Sequence, residues 1–275
     1  MRIDSHQHFW RFDPNRHAWI DSSMQKIATD FLPKDLVKLL EQNQMDGCVA
    51  VQADQSEVET KFLLDLAEQN PFIKGVVGWV DLFDKNLSER LEFFSKNPKF
   101  KGIRHVIQAE KKGFMMQDSF LSGIKKLSDF KLTYDILIYP HQLEETILFV
   151  ERNPEQSFVL DHLAKPYIKD QKIKEWASNM KQLAKHKNVY CKLSGMITEA
   201  DWYHWQAKDF DNYLYETLKA FGSDRLMFGS DWPVCLLAGS YHHVVQIIEL
   251  FIDKLEPIDQ KKIMGENARN FYNLQ

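Results

Sequence analysis

Residues 2–10 read RIDSHQHFW, a short apolar start that runs into two histidines one residue apart. In an extended strand, residues i and i+2 point to the same side, so His6 and His8 project together if this segment is a strand. Two neutral imidazoles converging at a strand end make half of a metal site. The competing reading is a pair of surface histidines near a frayed terminus. The rest of the chain decides between them.

Short apolar or β-branched runs recur at 2–7, 47–52, 75–80, 102–106, 133–138, 157–161, 189–193 and 226–230. The stretches between them have helical apolar spacing. Over 33–44, Leu36, Leu39 and Leu40 share a face and Pro33 suits the first turn. Over 57–69, the preceding Ser56 and Glu59 form a capping-box pattern, and Asn70-Pro71 ends the helix. Segments 86–96, 118–129, 142–152, 171–187, 209–221 and 241–254 read the same way, and a helical stretch at 258–272 closes the chain. Strands alternating with helices imply parallel pairing through right-handed crossovers. Eight such units in about 250 residues predict one (β/α)8 barrel, a TIM barrel, as a single domain over 1–275. A doubly wound open sheet is the alternative, but no GxGxxG follows the first run. The long, aromatic-rich segment from Phe9 to Leu32 is expected to be an extended first loop covering one end of the barrel.

Composition narrows the function classes. The 275 residues carry a formal net charge of −4, mild and mixed, so neither a nucleic-acid footprint nor a basic membrane face is expected. Asp4, His6 and His8 interrupt the start, so no secretory h-region is expected there, and no apolar stretch approaches the roughly 18–20 residues that span a bilayer. Cys48, Cys191 and Cys235 are far apart and odd in number, which fits reduced thiols in a cytoplasm. Association of identical subunits stays open.

In a barrel of this kind, chemistry sits at the C-terminal ends of the strands. The runs end at His6 and His8; at Gln52 and Asp54; at Trp79 and Asp81; at Arg104 and His105; at Tyr139 and His141; at Asp161, His162 and Lys165; at Lys192 and Ser194; and at Ser230, Asp231 and Trp232. Five of the ten histidines thus fall at strand ends, where chance would scatter them.

The strings DSHQHFW (4–10), KGIRHVIQ (101–108), VLDHLAKP (159–166) and FGSDWPV (228–234) resemble the sugar-lactonase branch of the amidohydrolase superfamily, which includes fuconolactonases, rhamnonolactonases and a pyrone dicarboxylate lactonase. The resemblance runs from residue 2 to about residue 270. It implies an amidohydrolase-like barrel with His6, His8, His162 and Asp231 as its core constellation. No lysine or glutamate stands at the end of the fourth run to bridge two metals; Arg104 and His105 are there instead. The expectation is one divalent cation at most, Zn²⁺ first, or none, since some lactonases of this branch work without metal. The role of His141 stays open.

Opening a lactone needs an activated water, a polarised carbonyl and a stabilised oxyanion. Asp231 is the candidate general base and a metal ligand with His6 and His8, and His162 a further ligand or an oxyanion partner. Arg104, His105 and Lys165 are candidate donors to a small-molecule sugar lactone. Trp19, Trp79 and Trp232 are candidate stacking surfaces, with Gln52 and His141 as further candidate substrate contacts. The alternatives are a metal-dependent decarboxylase or hydratase on the same barrel, and a non-catalytic sugar-acid binding protein.

Overall fold

The computed structural model describes residues 1–275. Its strands are β1 (Ile3–Gln7), β2 (Gly47–Val51), β3 (Ile73–Gly78), β4 (Phe100–His105), β5 (Thr133–Ile136), β6 (Phe158–Leu160), β7 (Val189–Leu193) and β8 (Leu226–Phe228). The helices that follow them in turn are α1 (Pro33–Gln42), α2 (Glu57–Gln69), α3 (Leu87–Ser95), α4 (Asp118–Asp129), α5 (Leu143–Glu151), α6 (Lys174–Leu183), α7 (Lys208–Phe221) and α8 (Tyr241–Ile252). All neighbouring strands pair in parallel, in the order β1 to β8. The ring closes beyond the end of β8, where Gln7 bridges Trp232. There the Asp231 N–H donates to the His6 carbonyl at 2.8 Å and the His8 N–H to the Trp232 carbonyl at 2.7 Å. The fold is a (β/α)8 barrel, and the two ends of the recurring pattern meet where the candidate ligands lie.

Two apolar layers stabilise it. A large cluster fills the space between barrel and helices. A smaller one fills the lower barrel with Ile3, Val49, Val51, Val77, Val159 and Met227, sealed by Ala268, Tyr272 and Leu274 of the C-terminal segment. The strands read as apolar runs because both faces are covered.

Local signals explain most element ends. Pro33 occupies the first turn of α1, and α2 stops before Pro71. Ser56 caps α2 by accepting from the Glu59 N–H at 3.2 Å. Only half of the expected capping box forms, because the Glu59 carboxylate instead accepts from the Ala53 and Asp54 N–H groups at 2.6 and 3.0 Å. It thereby clamps the loop after β2. α6 starts at Lys174, not at 171, because Gln171 adopts a left-handed backbone with φ 55°. The Phe9–Leu32 segment crosses the C-terminal end of the barrel as expected, pinned where Trp10 and Phe31 pair at 3.0 and 2.9 Å.

The closing stretch is not one helix. α9 (Pro257–Lys261) and α10 (Asn267–Phe271) flank a wide turn over Lys262–Glu266. Gly265 in that turn lies directly against the first strand: a Cβ there would overlap the Met1 carbonyl oxygen and come within 2.8 Å of the Ile3 nitrogen. Gly265→Ala should therefore destabilise the protein by about 1–3 kcal/mol, the usual range for overpacking. A lowered urea midpoint is the expected reading; an unchanged midpoint would show that this turn does not bear on β1.

Candidate active site

Four side chains converge at the C-terminal mouth of the barrel. Oδ1 of Asp231 lies 3.4 Å from His8 Nε2, 3.9 Å from His6 Nε2 and 3.9 Å from His162 Nε2. His6 and His8 come from β1, His162 follows β6, and Asp231 follows β8. Each imidazole is held from behind. His8 Nδ1–H donates to the Val51 carbonyl at 2.7 Å, which turns its Nε2 towards Asp231. His162 Nδ1 pairs with Ser194 Oγ at 2.9 Å, and His6 Nδ1 faces Asp161 Oδ1 at 3.3 Å. Burial pushes the pKa values of His6 and His162 well below the ordinary histidine value, so both rings are neutral at pH 7. Burial alone would raise the Asp231 pKa, but His162, and then His8, draw it below the usual carboxylate value. Three imidazoles and one carboxylate facing one another in this way suit a single divalent cation of the zinc type. Nη1 of Arg104 also approaches His6 Nε2, at 3.3 Å. A cation held here competes with that guanidinium for the His6 lone pair.

The backbone at this site is strained. His162, Leu163, Ala164 and Lys165 form a left-handed turn with φ of 53°, 53°, 58° and 50°, and Asp231 also lies at φ 56°. Each such non-glycine residue costs on the order of 1–2 kcal/mol. Burial of Leu163 and Ala164, and a 2.7 Å bond from Trp176 Nε1–H to the Leu163 carbonyl, offset that cost. Gly195 makes room for the ring, since a Cβ there would sit 2.5 Å from His162 Nδ1. Asp4 fixes the turn after β8: it accepts from the Ser230 N–H and Oγ–H at 2.9 and 2.6 Å and from the His6 N–H at 3.1 Å. Burial pushes its pKa up to about 6.

Beneath the imidazoles lies a charge network enclosed within the barrel. Lys192 Nζ reaches Asp135 Oδ2 at 2.5 Å and Asp161 Oδ1 at 3.0 Å. Arg104 Nη1 reaches Asp161 Oδ2 at 3.1 Å, while its Nη2 bonds the Gln52 carbonyl. Tyr272 OH donates to Asp135 at 2.9 Å. The two carboxylates differ. Burial opposes ionisation of both, but Asp161 faces Lys192, His6 and Arg104 and is held well below the usual carboxylate value. Asp135 has Lys192 as its one cationic partner and is pushed up to about 6 by burial.

A cavity of about 150 Å³ opens above this floor. Its polar lining is His8, Arg104, Gln108, His162, Lys165 and Asp231, and its apolar lining is Trp19, Ala53, Val106, Leu137 and Val234. Lys165 does not point to bulk water. Its ammonium lies 4.0 Å from Glu199, whose carboxyl burial pushes up to about 7, and 5.5 Å from the centre of the Tyr139 ring.

Five expected substrate contacts lie off this lining. His105 sits one residue beyond Arg104 and so faces outward, bonded to Glu110 at 2.9 Å and stacked on Phe114. Trp79 follows it, its Nε1–H directed at His105 Nδ1 at 3.4 Å. Trp232 is 2% exposed and packs edge-on against Phe9 and Phe31. Gln52 is buried and donates to the Arg104 carbonyl at 3.1 Å, so it supports Arg104 from behind. His141 is exposed, stacked on Tyr139, and borders a separate cleft with Tyr167 and Trp176. Sequence reasoning passed over Asp4, Gln108, Asp135, Glu199 and Tyr272. Only Asp135 carried a signal, a charge inside the apolar run TYDILI.

Removing Lys192 tests the network. In the parent protein Asp161 is ionised and stabilising above the ordinary carboxylate pKa. Lys192→Met leaves two carboxylates buried without their shared cation, and the expected loss at pH 7 is about 3–5 kcal/mol. Losing the cation raises both carboxyl pKa values, so protonation relieves the loss: the gap to the parent should narrow as pH falls from 8 towards 5. Lys192→Met combined with Asp135→Asn should recover part of it. A gap that does not depend on pH would mean that the loss arises from packing alone.

The amidohydrolase family profile matches residues 3–274. A Burkholderia multivorans protein named L-fucono-1,5-lactonase is 38% identical over 286 aligned residues, which cover 100% of this chain and 96% of the relative. A solved structure of an amidohydrolase from Burkholderia multivorans with bound Zn is 37% identical and superposes with a TM-score of 0.97 over 100% of both chains. A putative 2-pyrone-4,6-dicarboxylic acid hydrolase from Pseudomonas putida, 16% identical over 99% of this chain and 97% of its own, shares the fold at a TM-score of 0.80.

Proposed function

The chain belongs to the amidohydrolase family, and on that premise we propose that it hydrolyses the cyclic ester of a sugar-acid lactone. The observation that carries the reading is the convergence of three Nε2 atoms on Asp231 Oδ1 at 3.4–3.9 Å, on the floor of a cavity whose lining is half polar. Two relatives named L-fucono-1,5-lactonase, 38% and 35% identical over the whole chain, support the substrate class.

Asp231 is the proton acceptor of the proposed reaction. Its lowered pKa keeps it ionised at neutral pH but makes it a weak base. The attacking water must therefore be acidified, and His6, His8, His162 and Asp231 would hold a divalent cation, Zn²⁺ first, that supplies this acidity or polarises the carbonyl. Arg104 and Lys165 line the cavity as donors to the carbonyl oxygen and the ring substituents. Asp231 takes one proton from the water as its oxygen bonds to the acyl carbon. The ring C–O bond then breaks, and Asp231 returns that proton to the departing ring oxygen. The product is the open hydroxy acid, which ionises and releases one proton. Trp19, Leu137 and Val234 supply an apolar surface for the carbon side of the ring.

A panel of aldonolactones in a pH-indicator assay tests this, because each turnover releases a proton. Asp231→Asn keeps the volume and cannot take the proton, so kcat should fall by about 10²–10⁴ with the fold retained by circular dichroism. Chelation should abolish turnover and Zn²⁺ should restore it. A folded Asp231→Asn variant with near-parental rate would remove Asp231 from the role. Full activity in metal-free protein would remove the cation.

A further inference from the structure

The β4 side of the cavity carries two polar atoms that nothing in the protein satisfies. Oε1 of Gln108 and Nε of Arg104 are buried with no hydrogen-bond partner, and both residues line the cavity. Every other nitrogen of the Arg104 guanidinium is engaged, by Asp161 and His6 at Nη1 and by Gln52 at Nη2. Gln108 is held in place by its backbone. Its N–H donates to the Leu137 carbonyl at 2.9 Å. The turn around it is tied by the Val106 N–H to Gln55 Oε1 at 2.7 Å, and by Gln142 Nε2–H to the Ile107 carbonyl at 2.9 Å. The backbone that carries the side chain is fixed in this way, and its buried oxygen, left unpaired, is unfavourable until something donates to it.

The lining contains donors, the Arg104 Nε–H and the Lys165 ammonium, but none is hydrogen-bonded to Gln108 Oε1, and a lactone hydroxyl can donate there. A ring hydroxyl is a donor and an acceptor at once. Arg104 and Lys165 can serve its oxygen, but its proton needs an acceptor, and Asp231 is committed to the water. We propose that Gln108 is the specificity-determining residue of this site, with Oε1 accepting the proton of one ring hydroxyl while Arg104 Nε–H donates to a hydroxyl oxygen. The inference rests on the lactonase reading and adds to it how a hydroxylated ring is told from a plain one. Gln108 takes no part in proton transfer, so its loss should alter selectivity among lactones more than it alters chemistry on a ring without the hydroxyl.

The test is kcat/KM of the parent, Gln108→Leu and Gln108→Asn proteins, each loaded with one equivalent of Zn²⁺. The substrates are a polyhydroxylated aldonolactone and its monodeoxy analogues of the same ring size. For the parent, one deoxy position should lower kcat/KM by ~100-fold or more, as in sites built to bond a substrate hydroxyl. In Gln108→Leu that same deoxy position should lower kcat/KM by ~10-fold less than in the parent, because the buried acceptor is gone while the Arg104 and Lys165 donors remain. Gln108→Asn withdraws the oxygen by one methylene and should lose the same discrimination in part; it carries the test if the leucine variant does not fold. A loss of equal size on every lactone of the panel, or no change in discrimination, overturns the proposal and leaves the lactonase reading intact. If the parent opens no lactone at all, the lactonase reading falls and this inference falls with it, which the parent measurements alone reveal.

Discussion

The carboxylate of Asp161 is the constraint on which the site depends. Its two oxygens face Lys192, Arg104 and His6 inside the barrel, at 3.0, 3.1 and 3.3 Å. Ion networks buried this deeply are poor sources of stability, because removing charges from water costs about as much as their pairing returns. A layer of valine and leucine would close the barrel as well. The network is better understood as a positioning device. Asp161 turns the His6 ring, fixes one arm of Arg104 at the cavity floor and sets the charge against which Lys192 is held. Asp135 and Tyr272 complete it from the β5 and C-terminal sides, so the last helical turn of the chain bears on the geometry of the first strand.

Strain is the second condition. The left-handed turn over His162–Lys165 and the left-handed Asp231 place two of the four converging groups on backbone that ordinary residues avoid. Such conformations persist where packing leaves no alternative. Here Leu163 and Ala164 are buried, Gly195 yields space to the imidazole, and Asp4 grips the residue before Asp231. The cost falls on the scaffold, and the ring and carboxylate are set before any substrate arrives.

Much of the fold was legible in the sequence because it depends on periodicity. Eight apolar runs separated by amphipathic stretches leave few topologies once handedness is imposed, and the HxH at the end of the first run marks the face where the polar groups gather. The phase of each strand was harder to see. Arg104 and His105 are adjacent, both polar and both at a strand end, yet a period of two sends them to opposite faces. The same ambiguity covers Trp232, which sits beside Asp231 but turns into the packing against Phe9 and Phe31. The left-handed turn gave no signal, since none of its four residues is glycine or asparagine. Gln108 was hidden for a different reason: an amide in a loop is distinctive only once its oxygen is seen to be buried and unpaired.

The central claim is that the Nε2 atoms of His6, His8 and His162, with Asp231, hold one divalent cation in front of the cavity. X-ray absorption at the zinc edge, on protein loaded with one equivalent, reads that ligand set directly. The account predicts a first shell of three imidazole nitrogens at about 2.0–2.1 Å, one or two oxygens and no sulfur. A shell with fewer than three imidazoles, or one containing sulfur from Cys48, Cys191 or Cys235, would contradict it.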